Sequence, residues 1–340
     1  MSENHAYGIK NRIFLAGDIG GTNTRLALFA PGKHRPVMRT ARVFSSADYK
    51  GLEPIVEEFL HDRSENPASA CFGIAGPVID GKSRTTNLPW TVSEKRLSRR
   101  FGWPRVRLVN DLVATTLSLD VLRSKETETI LPGRRGASGN RVLVAPGTGL
   151  GQALLVRSED KSLPVASEGG HVDFAPGCEA EIELWRFLRR RYGHVSIERV
   201  VSGAGLVDIY AWLKTSGRYR EPRWLARKLQ KADPAQAVSA AAMENNTPIA
   251  AAALSRFVSV LGAVCGNLAL TALATGGVVL GGGIPPKILP FLKRSEFSEA
   301  FVGKGRFQSL LEAVPVRVIL NDRAALIGAA RCAAGNLESI

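Results

Sequence analysis

Ile13-Phe14-Leu15-Ala16-Gly17-Asp18-Ile19-Gly20-Gly21-Thr22-Asn23-Thr24-Arg25-Leu26-Ala27-Leu28-Phe29 reads as an apolar strand, a glycine-rich turn and a second strand. About 130 residues further on, the pattern returns. There Val142-Leu143-Val144-Ala145 leads into Pro146-Gly147-Thr148-Gly149-Leu150-Gly151, and Gln152-Ala153-Leu154-Leu155-Val156 follows. Glycine lets backbone N–H groups approach a bound anion without interference from Cβ. Either hairpin alone reads equally well as a tight turn. Two of them, each opening half of an α/β chain, point to a duplicated fold that clamps phosphates from both sides.

Between and beyond the hairpins, strands alternate with helices. Leu52, Ile55, Val56, Phe59 and Leu60 recur at helical spacing. Strands are expected at 70–75, ending at Gly76-Pro77, and at 105–109, ending at Asn110-Asp111, with a helix from Leu112 to Leu122. Further helices are expected at about 179–192, 203–214 and 248–275, and strands at 278–280 and 316–320. Gly281-Gly282-Gly283 closes the first of those strands, and a terminal helix runs from Ala324 to Cys332. This alternation implies mostly parallel sheets with helices on both faces, and ligands at the carboxyl ends of the strands. The domain boundary is expected near 111–140.

Composition excludes several classes. The chain has 340 residues, 45% of them apolar and 22% charged, enough for two domains with their own cores. Net charge is +14, with basic clusters at Lys95-Arg96, Arg99-Arg100, Arg134-Arg135 and Arg189-Arg190-Arg191 and from Arg218 to Lys231. No aromatic interleaving or recognition motif accompanies them, so they read as a solvated basic face and no nucleic-acid partner is expected. A positive field also attracts nucleotides. Cys71, Cys178, Cys265 and Cys332 lie far apart and form neither a disulfide framework nor a zinc pattern. Residues Met1 to Arg12 are polar, so neither a signal peptide nor a DNA-binding helix-turn-helix is expected there. Phe257 to Ala274 carries no charge over 18 residues, but Ser259, Asn267 and Thr271 interrupt it, which fits a buried core helix and no membrane partner.

Neither a Walker A sequence nor the protein-kinase set is present, and the Gly147–Gly151 spacing does not match a dinucleotide fingerprint. Asp18-Ile19-Gly20-Gly21-Thr22 instead resembles the first phosphate loop of the sugar kinase, Hsp70 and actin superfamily. Leu108-Val109-Asn110-Asp111, Glu168-Gly169-Gly170-His171-Val172-Asp173-Phe174, Gly193-His194-Val195-Ser196-Ile197-Glu198-Arg199 and Leu280-Gly281-Gly282-Gly283-Ile284 are similar to the motifs of bacterial glucokinases. They stand in that family's order, from about Ile13 to Cys332.

The resemblance implies an α/β, two-domain actin-like (ribonuclease H-like) ATPase fold with duplicated mixed sheets flanked by helices. Residues 1–111 would form the smaller domain, with the terminal helix 322–334 packing back on it, and 112–340 the larger. The implied activity is transfer of the γ-phosphate of MgATP to the 6-hydroxyl of glucose. Asp111 would be the general base, although an Asp before an apolar helix also serves as an N-cap and both roles can coexist. Asn110, Asp111, Glu168, His171, Glu198 and Asn87 would contact the sugar; Glu168 and His171 alternatively read as a loop ion pair. Gly17, Asp18, Ile19, Gly20, Gly21 and Thr22 would hold phosphates from one side, with Asp18 near Mg²⁺ through water. Gly147, Thr148 and Gly149 would face them from the other. Gly281, Gly282 and Gly283 would lie against adenosine or serve helix–sheet packing.

His171, Asp173 and Cys178 are alternative metal ligands, but the cysteine-rich zinc segment of related repressors and kinases is missing, so no zinc is expected. His194 reads as structural. A homodimer and a cytoplasmic location are implied. Competing readings keep the fold and change the sugar to another hexose or an N-acetylhexosamine, or the donor to polyphosphate. A sugar-sensing regulator is a third reading.

Overall fold

The computed structural model describes residues 12–85, 88–158, 161–244 and 247–335. They fall into two compact units. One runs through Glu126 and includes 163–166 and the segment from Asn321; the other comprises Thr127–Ser162 and Ser167–Leu320.

The first unit is built on β1 (Phe14–Ile19), β2 (Asn23–Ala30), β3 (Val37–Ser45), β4 (Ser69–Ile74), a small ribbon of β5 (Lys82–Arg84) and β6 (Thr91–Ser93), and β7 (Val106–Asn110). The main sheet has the order β3-β2-β1-β4-β7. Its hairpin strands are antiparallel, whereas β1, β4 and β7 run parallel. The sheet is therefore mixed, because each glycine hairpin adds antiparallel strands to a parallel core. β4 is buried along its whole length, as expected of a strand covered on both faces. On one face lie α1 (Leu52–Leu60) and α2 (Glu94–Phe101), whose Ile55, Phe59 and Leu97 join Phe72, Trp90 and Trp103 in one cluster. On the other face, α3 (Asp111–Ser118) and the terminal helix Ala324–Ala333 share a cluster with Phe14, Phe29 and Cys71.

In the second unit the order of core strands repeats. β8 (Thr127–Leu131), β9 (Arg141–Pro146), β10 (Leu150–Ser158), β11 (Lys161–Ser167, whose residues 163–166 are grouped with the first unit), β12 (Gly277–Leu280) and β13 (Val316–Ile319) form a sheet in the order β11-β10-β9-β12-β13-β8. β9 and β10 form the hairpin, β9, β12 and β13 run parallel, and β8 closes the far edge antiparallel. The helices of this unit include α4 (Glu179–Tyr192), α5 (Gly203–Thr215), α6 (Arg223–Lys231), α7 (Pro234–Met243) and α8 (Pro248–Thr271). The uncharged stretch from Phe257 lies in α8, where Phe257, Val258, Leu261 and Cys265 are buried in the unit's core. At roughly 1.5–3 kcal/mol per large apolar side chain, that burial accounts for the hydrophobic run without a membrane.

Two expectations shift. The helix expected from Leu112 to Leu122 ends at Ser118, where the N–H groups of Val121 and Leu122 both turn back to the Ser118 carbonyl. The first unit continues through Glu126, past the 111/112 boundary expected from sequence, because α3 packs on β4 and on the terminal helix. That packing is backbone to backbone. A Cβ built on Gly328 of the terminal helix would overlap the Ala114 carbonyl of α3. Gly328→Ala should therefore force the two helices apart and destabilise the fold by about 1–3 kcal/mol, measured as a lower urea midpoint with an unchanged slope.

Candidate active site

Parallel register aligns three strand ends in the first unit. Ile19 of β1 stands opposite Ile74 of β4, and Ile74 opposite Asn110 of β7. The turn Gly20–Thr22, the peptide at Ala75-Gly76 and the start of α3 thus share one edge of the sheet. With strands about 4.8 Å apart, the β1 and β7 ends are roughly 10 Å from each other.

Asn110, rather than Asp111, caps α3. Its side-chain oxygen accepts from the Leu112 N–H at 2.9 Å, and its amide nitrogen donates to the Gly76 carbonyl at 3.2 Å. Asp111 is the first helical residue, half-buried, and its carboxylate also accepts from the Leu112 N–H at 2.9 Å. A carboxylate is favoured at a helix N-terminus by the helix dipole. The backbone of α3 comes this close because β4 carries Gly73. A Cβ there would lie 2.9 Å from Ala114 Cβ and 3.5 Å from Asp111 Cα.

The β1–β2 turn is tightly braced. The Gly20 N–H donates to the Asn23 carbonyl at 2.9 Å and is taken up inside the turn. Ser46 Oγ donates to the Gly20 carbonyl at 2.9 Å, and Thr24 Oγ lies 3.0 Å from Ser46 Oγ. Neither hydroxyl is marked in the sequence, because Ser46 lies 26 residues from Gly20 and meets it only in the folded chain. Gly17 lies inside β1 against the Phe72 ring, and Ile19 is buried, so both are packing positions behind the turn. Asp18 pairs across the hairpin with Arg25 at 3.8 Å. Burial raises its pKa above the ordinary carboxylate value, and Arg25 only partly offsets this.

In the second unit, Leu150 joins the remaining motifs. Its N–H donates to Glu198 at 2.9 Å, and its carbonyl packs against Gly170. A Cβ on Gly149 would come within 2.5 Å of the Glu198 carboxylate, so the glycine of the second turn makes room for an acid. Glu168 precedes and His171 ends a single 3-10 turn, with the His171 N–H donating to the Glu168 carbonyl at 3.0 Å. The Ile197 N–H donates to Val172 at 3.0 Å and brings that turn beside Glu198. Glu168 and His171 are exposed, and Glu198 is half-buried.

The Gly147–Gly149 turn is closed by the Gly147 N–H on the Gly149 carbonyl at 2.8 Å, and it receives the Gly203 N–H from the start of α5 at 2.8 Å. Thr148 is exposed beyond it. Leu280 stands opposite Val144, so Gly281–Gly283 leaves the sheet beside this turn. Gly282 has a φ of +78° and would place a Cβ 2.6 Å from the Pro146 carbonyl, a demand of the backbone path itself. Gly283 is exposed, with open space where a Cβ would lie.

His194 bonds Asp173 at 2.9 Å, and Cys178 lies 3.3 Å from the Arg256 guanidinium. Among the described residues, no group of three or more His, Cys, Asp or Glu side chains could hold a metal ion. Asn87 lies outside the described residues.

A family model described as Glucokinase matches residues 15–336. The chain belongs to the glucokinase family. The glucokinase of Synechocystis sp. is 41% identical to it over 346 aligned positions, covering 94% of this chain and 98% of that one. The crystal structure of a glucokinase from an Antarctic psychrotroph matches at a TM-score of 0.85 with 32% identity, covering 94% and 98% of the two chains. A ROK family glucokinase from Streptomyces griseus, solved with glucose and AMPPNP, shares the fold at a TM-score of 0.63 and 20% identity over 94% of this chain and 99% of that one. This glucokinase therefore uses ATP to phosphorylate glucose, a reaction of glycolysis, on an α/β actin-like fold.

The raised pKa of Asp18 has a consequence for stability. The folded enzyme holds this proton more tightly than the unfolded chain, so its contribution to stability falls as pH rises from the ordinary carboxylate range through the raised value. Asp18→Asn removes this partly desolvated charge. Its melting temperature should exceed that of the parent at pH 7, and the difference should fade as pH drops below the ordinary carboxylate range.

Proposed function

We propose that Asp111 is the general base of glucose phosphorylation, taking the proton of the glucose 6-hydroxyl as that oxygen attacks the γ-phosphate of MgATP. The observation that supports this is the edge shared by three strand ends, which sets Asp111 and the β1–β2 turn on one rim of the first unit. Asn110 frees Asp111 from sole duty as the helix cap, and Gly73 lets the base sit against β4. A base positioned in this way contributes typically ~10²–10⁴ in rate.

Each unit offers polar groups suited to a sugar: Asn110 and Asp111 in the first, and Glu168, His171 and Glu198 in the second. Carboxylates, an amide and an imidazole suit a hexose, because any missing hydroxyl leaves a polar group unpaired. This favours glucose over a less hydroxylated acceptor. In the first unit the turn at Gly20–Thr22 is the phosphate-binding element; in the second, the turn at Gly147–Gly149 plays that part and Gly281–Gly283 the adenosine-binding one.

Asp18 suits Mg²⁺ held through water. It is one partly exposed carboxylate beside the first turn, and Mg²⁺ commonly keeps several waters and takes one or two carboxylates plus substrate phosphates. When bound, the ion neutralises phosphate charge. The protein's own part is positioning and exclusion of water, since phosphoryl transfer asks little covalent chemistry of it. The net charge of +14 adds a field that draws ATP in. A homodimer working in the cytoplasm completes the reading.

Asp111→Asn should lower kcat by roughly 10²–10⁴ while calorimetry finds glucose affinity within a few-fold of the parent. Near-normal turnover would remove Asp111 from this role. Sedimentation at working concentration should give twice the chain mass; a monomer alone would end the dimer reading.

A further inference from the structure

Ser46 is 26 residues from Gly20, yet its side chain reaches into the first glycine turn. Its Oγ donates to the Gly20 carbonyl at 2.9 Å, and its backbone N–H donates to the Thr22 carbonyl at 2.9 Å. A serine hydroxyl has a single proton. With that proton on Gly20, the Thr24 hydroxyl 3.0 Å away is the donor to Ser46 Oγ. Thr24 and Ser46 are both 0% exposed, so no solvent competes. The relay therefore has one direction, from Thr24 to Ser46 to Gly20.

The carbonyl and the following N–H of a trans peptide point in opposite directions. Drawing the Gly20 and Thr22 carbonyls toward Ser46 turns the N–H groups of Gly21 and Asn23 away from it. The Gly20 N–H is already taken by the Asn23 carbonyl.

We infer that Ser46, supported by Thr24, is a positioning residue for phosphoryl transfer that aims the N–H groups of Gly21 and Asn23 at the phosphates of ATP. This rests on the reading that the β1–β2 turn receives those phosphates. Ser46 touches neither substrate. Without its bonds a turn carbonyl can rotate outward and present the negative end of its dipole to the phosphates. Donors fixed beforehand stabilise charge without reorganising during the reaction.

The test compares Ser46→Ala, Thr24→Val and Gly21→Val with the parent. It reads KM for MgATP, kcat, the Kd for glucose by calorimetry and the melting temperature without ligand. Ser46→Ala should raise KM for MgATP on the order of ten-fold with glucose Kd unchanged, the size expected for one lost hydrogen bond. Thr24→Val keeps the Ser46–Gly20 bond and should give a smaller rise in the same parameter. Should Ser46→Ala fail to fold, Thr24→Val carries the test through the same split between MgATP and glucose. If Gly21→Val raises KM for MgATP but neither hydroxyl variant does, or if they weaken glucose and MgATP equally as the melting temperature falls, the role of Ser46 is overturned. If Gly21→Val leaves KM for MgATP unchanged, the phosphate reading of this turn falls, and the inference with it.

Discussion

The ladder that seats β4 between β1 and β7 aligns Ile19, Ile74 and Asn110 at one edge, and the first unit's candidate site residues lie just beyond them. Slipping that register by one residue would turn every β4 side chain to the other face. Phe72 and Ile74 would leave one core, and Cys71 would leave the opposite one. The alignment is thus held by burial on both faces of the sheet and not by the site itself. Asp111 inherits its place from this register, through the Asn110 cap and the close approach at Gly73. Packing residues thereby determine where the proposed base stands.

The second unit repeats the order of strands but not the way its turn is held. Around Gly20 the brace is a pair of neutral, buried hydroxyls. Around Gly149 it is a carboxylate, because Glu198 accepts from the Leu150 N–H where another side chain would leave that donor buried. A carboxylate has about four acceptor positions, and Leu150 occupies one of them. Glu198 therefore retains capacity for further donors, such as the sugar hydroxyls proposed above, while it shapes the end of the second glycine turn. The two sheets share a strand order, and the chemistry that holds their turns differs.

Legibility followed the range of the interactions. The hairpins, the strands at 70–75 and 278–280 and the helices near 179–192 and 203–214 were legible, since each is an apolar pattern bounded by glycine or a cap. β3 carries no such signal, because most of its residues are exposed. α6 was read as a basic cluster and not as a helix, because only Leu225 is buried and cations dominate it. Motif resemblance drew attention to Asn110 and Asp111 together, but which of them caps α3 depended on side-chain reach to Leu112 and Gly76. The hydroxyls of Thr24 and Ser46 carry no local pattern at all. Their meaning arises only when β3 pairs with β2 and the two side chains meet.

Asp18 shows how this arrangement balances stability against chemistry. Burial disfavours its charge, and Arg25 at 3.8 Å compensates only in part. A fold selected for stability alone would place a neutral residue at the end of β1, where both neighbouring strands are already satisfied by backbone pairing. Retaining an acid there is intelligible if a cation arrives with the substrate and offsets the desolvation that Arg25 leaves uncompensated. The same logic covers the turn beside it. Its inward carbonyls are satisfied by Ser46, and satisfying them on one side directs N–H groups to the other. On the proposed reading, both features have the sign of charge or dipole that a bound metal–nucleotide complex would complete.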